Sequence, residues 1–165
     1  MKSADQAVTE RSASRAREIA RHGYVYGIWL LLVSIIIQFF LAGLGVLDSP
    51  SFFYWHVNVN GAVLGLLPLV LVLVGWFGRV PARALWLTAA VFGLVVLQSV
   101  LLFPYRSAAT GWVRAIAGLH VVNALFIFWV GMRLLDRTRR LSSTTVAKSG
   151  YQASLKAYGP DSRRG

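Results

Sequence analysis

Four long apolar runs fill most of this chain of 165 residues, and they constrain its fold more than any other feature. A hydrocarbon core about 30 Å thick needs roughly 20 residues of α-helix to cross it, so each run is long enough to span a bilayer. The connections between the runs are short and rich in Gly, Pro, Ser and Asp, which makes neighbouring helices antiparallel. The sequence therefore predicts an all-α, integral membrane, up-and-down four-helix bundle with spans at about 24–47, 52–77, 84–105 and 112–134.

Two basic segments flank this membrane domain, which we assign to residues 24–135. Residues 1–23 form a cytoplasmic segment that continues the first helix or lies along the membrane surface. Residues 136–165 form a cytoplasmic tail that is rich in Ser, Gly and Lys from about Leu141, a composition typical of disorder. A signal peptide is the weaker interpretation of the first run, because that run is too long for an h-region.

The basic residues are distributed unequally between the two sides of the predicted bundle. Of 17 lysines and arginines, all but Arg106 and Arg114 lie on the side of the amino terminus. Positive residues favour the cytoplasmic side, so both termini are predicted to be cytoplasmic in the plasma membrane of a prokaryote. Topology and attraction to anionic lipid headgroups explain the net charge of +11. Nucleic acid is not an expected partner, because no motif that reads it is present.

Aromatic residues mark the two predicted membrane interfaces, where Trp and Tyr are enriched. Those expected on the cytoplasmic side are Tyr24, Tyr26, Trp29, Trp76 and Trp86. Those expected on the outer side are Phe52, Tyr54, Trp55, Tyr105 and Trp112.

Several kinds of chemistry are excluded by residues that the spans lack. The chain has no cysteine, so thiolate metal sites, iron–sulfur clusters and covalently attached haem are excluded. The runs contain no Asp or Glu, which argues against hydrolysis, acyl transfer and proton-coupled transport. Zinc or copper without haem is disfavoured, since either metal needs three or four protein ligands.

Six polar side chains fall at a similar depth in the outer half of the predicted bundle. The second and fourth runs each carry a histidine with an asparagine about one helical turn later, and the first and third runs each carry a glutamine. Histidines inside a membrane mark ligands or proton pathways. A single Gln or Asn more often forms a hydrogen bond that holds neighbouring helices together. The six residues are Gln38, His56, Asn60, Gln98, His120 and Asn123.

The order Gln, His, Asn occurs once in each half of the chain, with the two halves offset by about sixty residues. This pattern predicts a tandem repeat of two helical hairpins. A pseudo-twofold axis along the membrane normal would then place His56 opposite His120.

Two facing histidines at one depth match the axial ligands of a b-type haem, which requires an imidazole on each face of the macrocycle. We therefore predict His56 and His120 as the ligands of the haem iron. Gln38, Gln98, Asn60 and Asn123 are predicted to bond the ring nitrogens or the propionates. Arg106 and Arg114 lie near the expected position of the propionates, and Pro68 is expected to kink the second helix. The glycines expected to leave room for the ring are Gly43, Gly45, Gly61, Gly65, Gly93 and Gly118.

A family resemblance rests on the stretches "QFFLAGLG", "HVNVNGAVLGLLPLVLVLVG", "VLQSVLLFPY" and "GLHVVNALFIFWVG". These stretches resemble an uncharacterised family of four-helix integral membrane proteins of bacteria and archaea. More distantly, they are similar to cytochrome b561-like haem-binding bundles, a similarity that implies electron transfer across the membrane. Those proteins typically hold two haems between four histidines, whereas this chain offers one ligand pair near the outer face.

Three functions are compatible with these patterns. The first is a small b-type cytochrome that exchanges electrons near the outer face with a quinone or a membrane redox partner. The second is an accessory or assembly subunit of a larger membrane complex. It would have no cofactor of its own, and the polar layer would form hydrogen bonds that hold the four helices together. The third is a small transporter or channel. An electron-transfer or accessory role is favoured over enzymatic hydrolysis or group transfer, and homo-oligomers or larger complexes are compatible with each function.

The unequal distribution of basic residues predicts where each connection lies. A reporter that is active only in the cytoplasm should be active when fused after Arg140 and inactive when fused after Ser49, because positive residues stay on the cytoplasmic side. Parallel fusions with a reporter that is active only outside the cytoplasm should give the opposite pattern. External activity after Arg140 would contradict the predicted orientation.

Overall fold

The computed structural model describes residues 4–107 and 110–158, and this part of the chain is almost entirely helical. Its elements, in chain order, are α1 (Ala4–Leu47), α2 (Phe52–Val59), a π-helical segment (Asn60–Leu64), α3 (Leu67–Phe77), α4 (Ala82–Leu101), α5 (Phe103–Arg106), α6 (Gly111–Ala115), a 3₁₀ segment (Ile116–Gly118) and α7 (Leu119–Tyr158).

Four helical stretches are long and apolar enough to cross a membrane: Val8–Leu47, Phe52–Phe77, Ala82–Leu101 and Gly111–Arg139. We refer to them as the first to fourth spans. The first span packs against the second and the fourth, and the third span packs against the same two, so antiparallel neighbours close a ring. The predicted all-α four-helix bundle is confirmed, and the described residues contain no strand.

Pro68 determines where the second span departs from regular α-helix. Proline has no N–H and its ring collides with the carbonyl four residues earlier, so Leu64 cannot keep a normal helical hydrogen bond. The chain widens into the π-helical segment just before this point, and the Gly65 N–H donates to the Asn60 carbonyl at 2.9 Å. Pro68 then lies in the first turn of α3, where a missing N–H costs little. We predicted a kink at Pro68, and the irregularity that the structure has there is a π-helical segment on the amino-terminal side of the proline.

The core of the bundle has two apolar clusters along its length. One lies at the end that carries the chain termini, which we call the basic end, and it includes Tyr24, Ile28, Leu71 and Leu134. The other lies further along the spans and consists mainly of Leu31, Ile35, Leu64, Val91, Val95, Ile127 and Val130. The buried amide side chains of Gln38, Gln98 and Asn123 lie beyond both clusters, toward the end opposite the termini.

Tyr24 corrects one expectation about the aromatic residues. We predicted it at the lipid interface, but its side chain is fully buried in the bundle. Its hydroxyl bonds the Thr88 hydroxyl across the core at 2.7 Å, and Thr88 donates to the Ala84 carbonyl at 3.0 Å. A hydroxyl that finds a partner can be buried without the cost of an unsatisfied polar group. Trp76 and Trp86 are exposed, as expected for interfacial residues.

Both terminal segments are helical in the part of the chain that the structure describes. The first helix begins at Ala4, so the basic segment of residues 4–23 is continuous with the first span. The last helix continues to Tyr158, which differs from the predicted disordered tail; residues 159–165 lie outside the described part of the chain. No proline interrupts the sequence between Pro104 and Pro160, so nothing in this stretch forces the helix to end.

Gly75 allows the Tyr24 ring to lie against α3, and this contact predicts the effect of a single methyl group. A Cβ at position 75 would lie 2.8 Å from the Tyr24 ring and 2.7 Å from Leu85. Gly75→Ala should therefore lower the free energy of unfolding in detergent by about 1–3 kcal/mol through overpacking. Gly93→Ala is the matched control, because it adds the same methyl to another span with nothing within 4 Å. Equal melting temperatures for the two variants would contradict this packing.

Candidate functional site

A cavity of about 130 Å³ lies between the four spans, in the half of the bundle opposite the basic end. Five of the six predicted polar residues line it: Gln38, His56, Asn60, Gln98 and His120. The rest of its wall is apolar and consists of Ile35, Phe39, Ala42, Leu64, Val121, Ala124 and Ile127. Polar groups from all four spans therefore meet in one mostly apolar space.

Both imidazoles at the cavity are held by backbone carbonyls. His56 Nδ1 donates to the Gln38 carbonyl of the first span at 3.1 Å, and His120 Nδ1 donates to the Ala117 carbonyl at 2.6 Å. A carbonyl oxygen only accepts, so in each ring Nδ1 carries the hydrogen. In a neutral imidazole the other nitrogen, Nε2, then carries a lone pair. The cavity thus has two imidazoles in the tautomer that can bind a metal or accept a proton through Nε2.

Each histidine lies beside an irregular segment of helix. The π-helical segment begins at Asn60, one turn after His56, and the 3₁₀ segment ends at Gly118, two residues before His120. The carbonyl that accepts from His120 belongs to Ala117 within the 3₁₀ segment. Such segments inside long helices frequently mark functional sites. In this bundle the π-helical segment adjoins His56, and the 3₁₀ segment adjoins His120.

Gln38 is the unsatisfied group of the cavity. Its side chain is only 6% exposed, and neither Nε2 nor Oε1 has a hydrogen-bond partner. Leaving a buried polar group unpaired costs about 1–3 kcal/mol, which is large for a single side chain. Because the amide lines the cavity, it is available to donate to and accept from a molecule held there.

Asn123 does not line the cavity, and its role is to join two spans. Its Nδ2 donates to Gln98 Oε1 at 2.6 Å and to the Leu94 carbonyl at 2.8 Å. These bonds connect the fourth span to the third beside the cavity wall. Oε1 of Gln98 is thus occupied by a protein partner, in contrast to the free amide of Gln38.

The side-chain amides were predicted to bond the ring nitrogens or the propionates; both Nδ1 atoms bond backbone carbonyls, and the bond to propionates stays a prediction. The Ala117 carbonyl lies three residues before His120 in the same span, whereas the Gln38 carbonyl belongs to the first span, which packs against the second. The Ala117 carbonyl was not predicted as the partner of His120, because a sequence pattern does not show which carbonyl a local 3₁₀ turn presents.

Of the two predicted outer cations, Arg114 is the one whose side chain the structure describes. Arg114 is exposed on α6 and is not part of the cavity wall. The Arg106 side chain lies outside the described part of the structure. Of the glycines expected to leave room for a ring, Gly45 instead accommodates Phe53, and Gly65 lies against the Gly61 carbonyl of the π-helical segment.

The two halves of the chain differ in how they use their matching residues. His56 bonds a carbonyl of another span, whereas His120 bonds a carbonyl three residues earlier in its own. Gln98 accepts from Asn123, whereas the Gln38 side chain has no partner. The tandem repeat therefore stays a prediction, and any such symmetry does not extend to these hydrogen bonds.

Comparison with known proteins gives a family similarity and no function. The model described as "Family of unknown function (DUF6220)" matches residues 38–106, a stretch that includes Gln38, His56, Asn60 and Gln98 and ends before the fourth span. This match agrees with the expected similarity to an uncharacterised family. It gives no support to the similarity with cytochrome b561-like bundles. No curated protein and no solved structure matches the chain.

The contrast between Gln38 and Asn123 predicts opposite effects on stability. In ligand-free protein, Gln38→Leu should leave the free energy of unfolding unchanged or raise it, because it removes an unsatisfied amide at similar volume. Asn123→Leu should lower it by about 1–3 kcal/mol, because two interhelical hydrogen bonds are lost. Thermal unfolding in mild detergent measures both. Equal destabilisation by the two changes would mean that the Gln38 amide is bonded in the native protein.

Proposed function

We propose that this protein is a small membrane b-type cytochrome that holds one haem b between the second and fourth spans, with His56 and His120 as axial ligands. The observation that supports this proposal is the pair of imidazoles at one cavity, each with Nδ1–H bonded to a carbonyl. Histidines that bind metals usually donate their other ring N–H in this way, which fixes the ring and makes Nε2 more basic.

The donor set fits haem better than it fits a bare metal ion. Within the described residues, no group of three or more His, Cys, Asp or Glu could hold a metal. Zinc would require three or four such protein ligands, whereas haem iron takes four nitrogens from its own macrocycle and needs only two from the protein. The seven apolar residues of the wall also suit a flat hydrophobic ring.

The size of the cavity adds a requirement to this proposal. About 130 Å³ is less than the roughly 300 Å³ at which sites for drug-sized ligands begin, and a porphyrin is a large ligand. The second and fourth spans must therefore separate when haem binds. The π-helical and 3₁₀ segments adjoin the two histidines and are the places where these spans are least regular.

Bound haem would supply one-electron transfer, and the protein would supply its binding and its surroundings. His56 and His120 would hold the iron, and Gln38 would bond a polar atom of the molecule held in the cavity. Because the cavity lies far from the basic end, electrons would be exchanged with a quinone or a membrane redox partner at the opposite face. With both termini cytoplasmic, this face is the outer face of a prokaryotic plasma membrane.

An accessory or assembly subunit of a larger membrane complex is the second candidate. The bonds from Asn123 to Gln98 and Leu94 favour it, because they hold the third and fourth spans together without any ligand. In that case the hydrogen bonds of the polar layer would serve only to hold the spans together. The exposed apolar faces of the spans would pack against partner subunits.

The absorption spectrum separates the two candidates. Protein purified in mild detergent from haem-sufficient cells should show the Soret and reduced α bands of low-spin, bis-imidazole haem b. His56→Ala or His120→Ala should remove this low-spin spectrum, because a single imidazole leaves one axial position open.

His22→Ala is the matched control for this experiment. The His22 Nδ1 also bonds a carbonyl, that of Glu18 at 3.0 Å, but its side chain is exposed at the basic end. Its replacement should leave the spectrum unchanged. A colourless wild-type preparation that copurifies with other membrane proteins would instead favour the accessory subunit.

A further inference from the structure

A second and larger cavity lies at the basic end, between the third and fourth spans. It has a volume of about 390 Å³ and opens to the outside of the bundle. Its walls are Leu87, Trp129, Val130, Arg133, Asp136 and Arg137. His120 and Arg133 are separated by about 20 Å along α7, given a rise of 1.5 Å per residue, so this groove is distinct from the histidine cavity.

The groove joins an apolar floor to a basic rim. Arg133 and Arg137 are one turn apart on α7 and therefore lie on the same face of the helix. Among the described residues neither guanidinium has a carboxylate partner, and Arg133 lies over the Trp129 ring, 5.2 Å from its centre. With Asp136 included, the rim keeps an excess of one positive charge.

The apolar side of the groove continues along the lipid-facing surface. Trp129 is 51% exposed, and the neighbouring Phe126 ring, 53% exposed, lies 5.4 Å from it in the direction of the membrane centre. The fourth span ends at Arg139, so the arginines lie where the apolar stretch meets water. A ligand that fits this arrangement has an anionic head and an apolar tail.

We propose that this groove binds an anionic glycerophospholipid, with its phosphate between Arg133 and Arg137 and an acyl chain along Trp129 and Phe126. Guanidinium groups bind phosphate oxygens through paired, charge-assisted hydrogen bonds. The volume lies within the range of roughly 300–1,000 Å³ that is usual for small-molecule sites. The site does not depend on haem binding, because none of its residues touches the histidine cavity.

Native mass spectrometry with short-chain lipids tests this proposal. The purified full-length protein should bind one phosphatidylglycerol with a Kd at least about tenfold lower than that for phosphatidylcholine of the same chain length. R133Q/R137Q should raise the Kd for phosphatidylglycerol by roughly tenfold to thirtyfold, as expected for two basic residues at an anionic headgroup.

R11Q/R15Q is the matched control, because Arg11 and Arg15 are also exposed and one turn apart, but on α1 and away from the groove. This variant should bind phosphatidylglycerol within about twofold of wild type. R133K/R137K keeps the charge without the paired geometry and should give an intermediate Kd. Circular dichroism of each variant should show unchanged helix content.

Three outcomes would overturn the proposal. The first is equal affinity for phosphatidylglycerol and phosphatidylcholine. The second is an equal loss of binding in R11Q/R15Q, which would indicate attraction to overall charge. The third is displacement of the lipid by inorganic phosphate at matched concentration, which would indicate a site for free phosphate.

Discussion

The rule that every backbone polar group inside a bilayer needs a partner governs this structure. Pro68 removes one donor from the second span, and the chain responds with a π-helical segment in which Gly65 bonds Asn60. The fourth span contains a 3₁₀ turn, and there the Ala117 carbonyl accepts from His120. Irregular backbone is tolerated at membrane depth where it lines a cavity, and both irregular segments adjoin one. The irregular backbone of the fourth span therefore also helps to orient the His120 imidazole.

Depth in the membrane could be predicted from the sequence, but direction around each helix could not. Hydropathy located the four spans, and counting residues from their ends placed Gln38, His56 and His120 in one layer. In a membrane bundle the lipid-facing and core-facing sides are both apolar, so the periodicity that reveals the inner face of a soluble helix is weak. For this reason Tyr24 was expected at the interface, although its ring is buried and bonded to Thr88. The carbonyl partners of the imidazoles could not be predicted either, because they depend on local helix geometry.

The polar layer contains two kinds of amide with opposite consequences. Asn123 is buried and bonded to Gln98 and Leu94, so it contributes to the association of two spans. Gln38 is equally buried and has no side-chain partner, so it costs stability in the absence of a ligand. A bundle selected for stability alone would carry Leu at position 38. The unpaired amide lines the same cavity as both histidines, and this observation supports the proposed ligand-binding function over a purely structural polar layer.

The number of histidines in the chain limits what such a site can do. The chain has three histidines, and two of them line the cavity. The third, His22, is exposed at the basic end and bonds Glu18 of its own helix, so this chain alone cannot supply a second bis-imidazole site. Between the cavity and the basic end, the described core contains two apolar clusters, the Tyr24–Thr88 hydroxyl pair and the buried hydroxyls of Ser34 and Thr138. A haem held by His56 and His120 would thus have no redox partner within this bundle, and electron exchange would be confined to the end opposite the termini unless a second subunit supplied the remaining path.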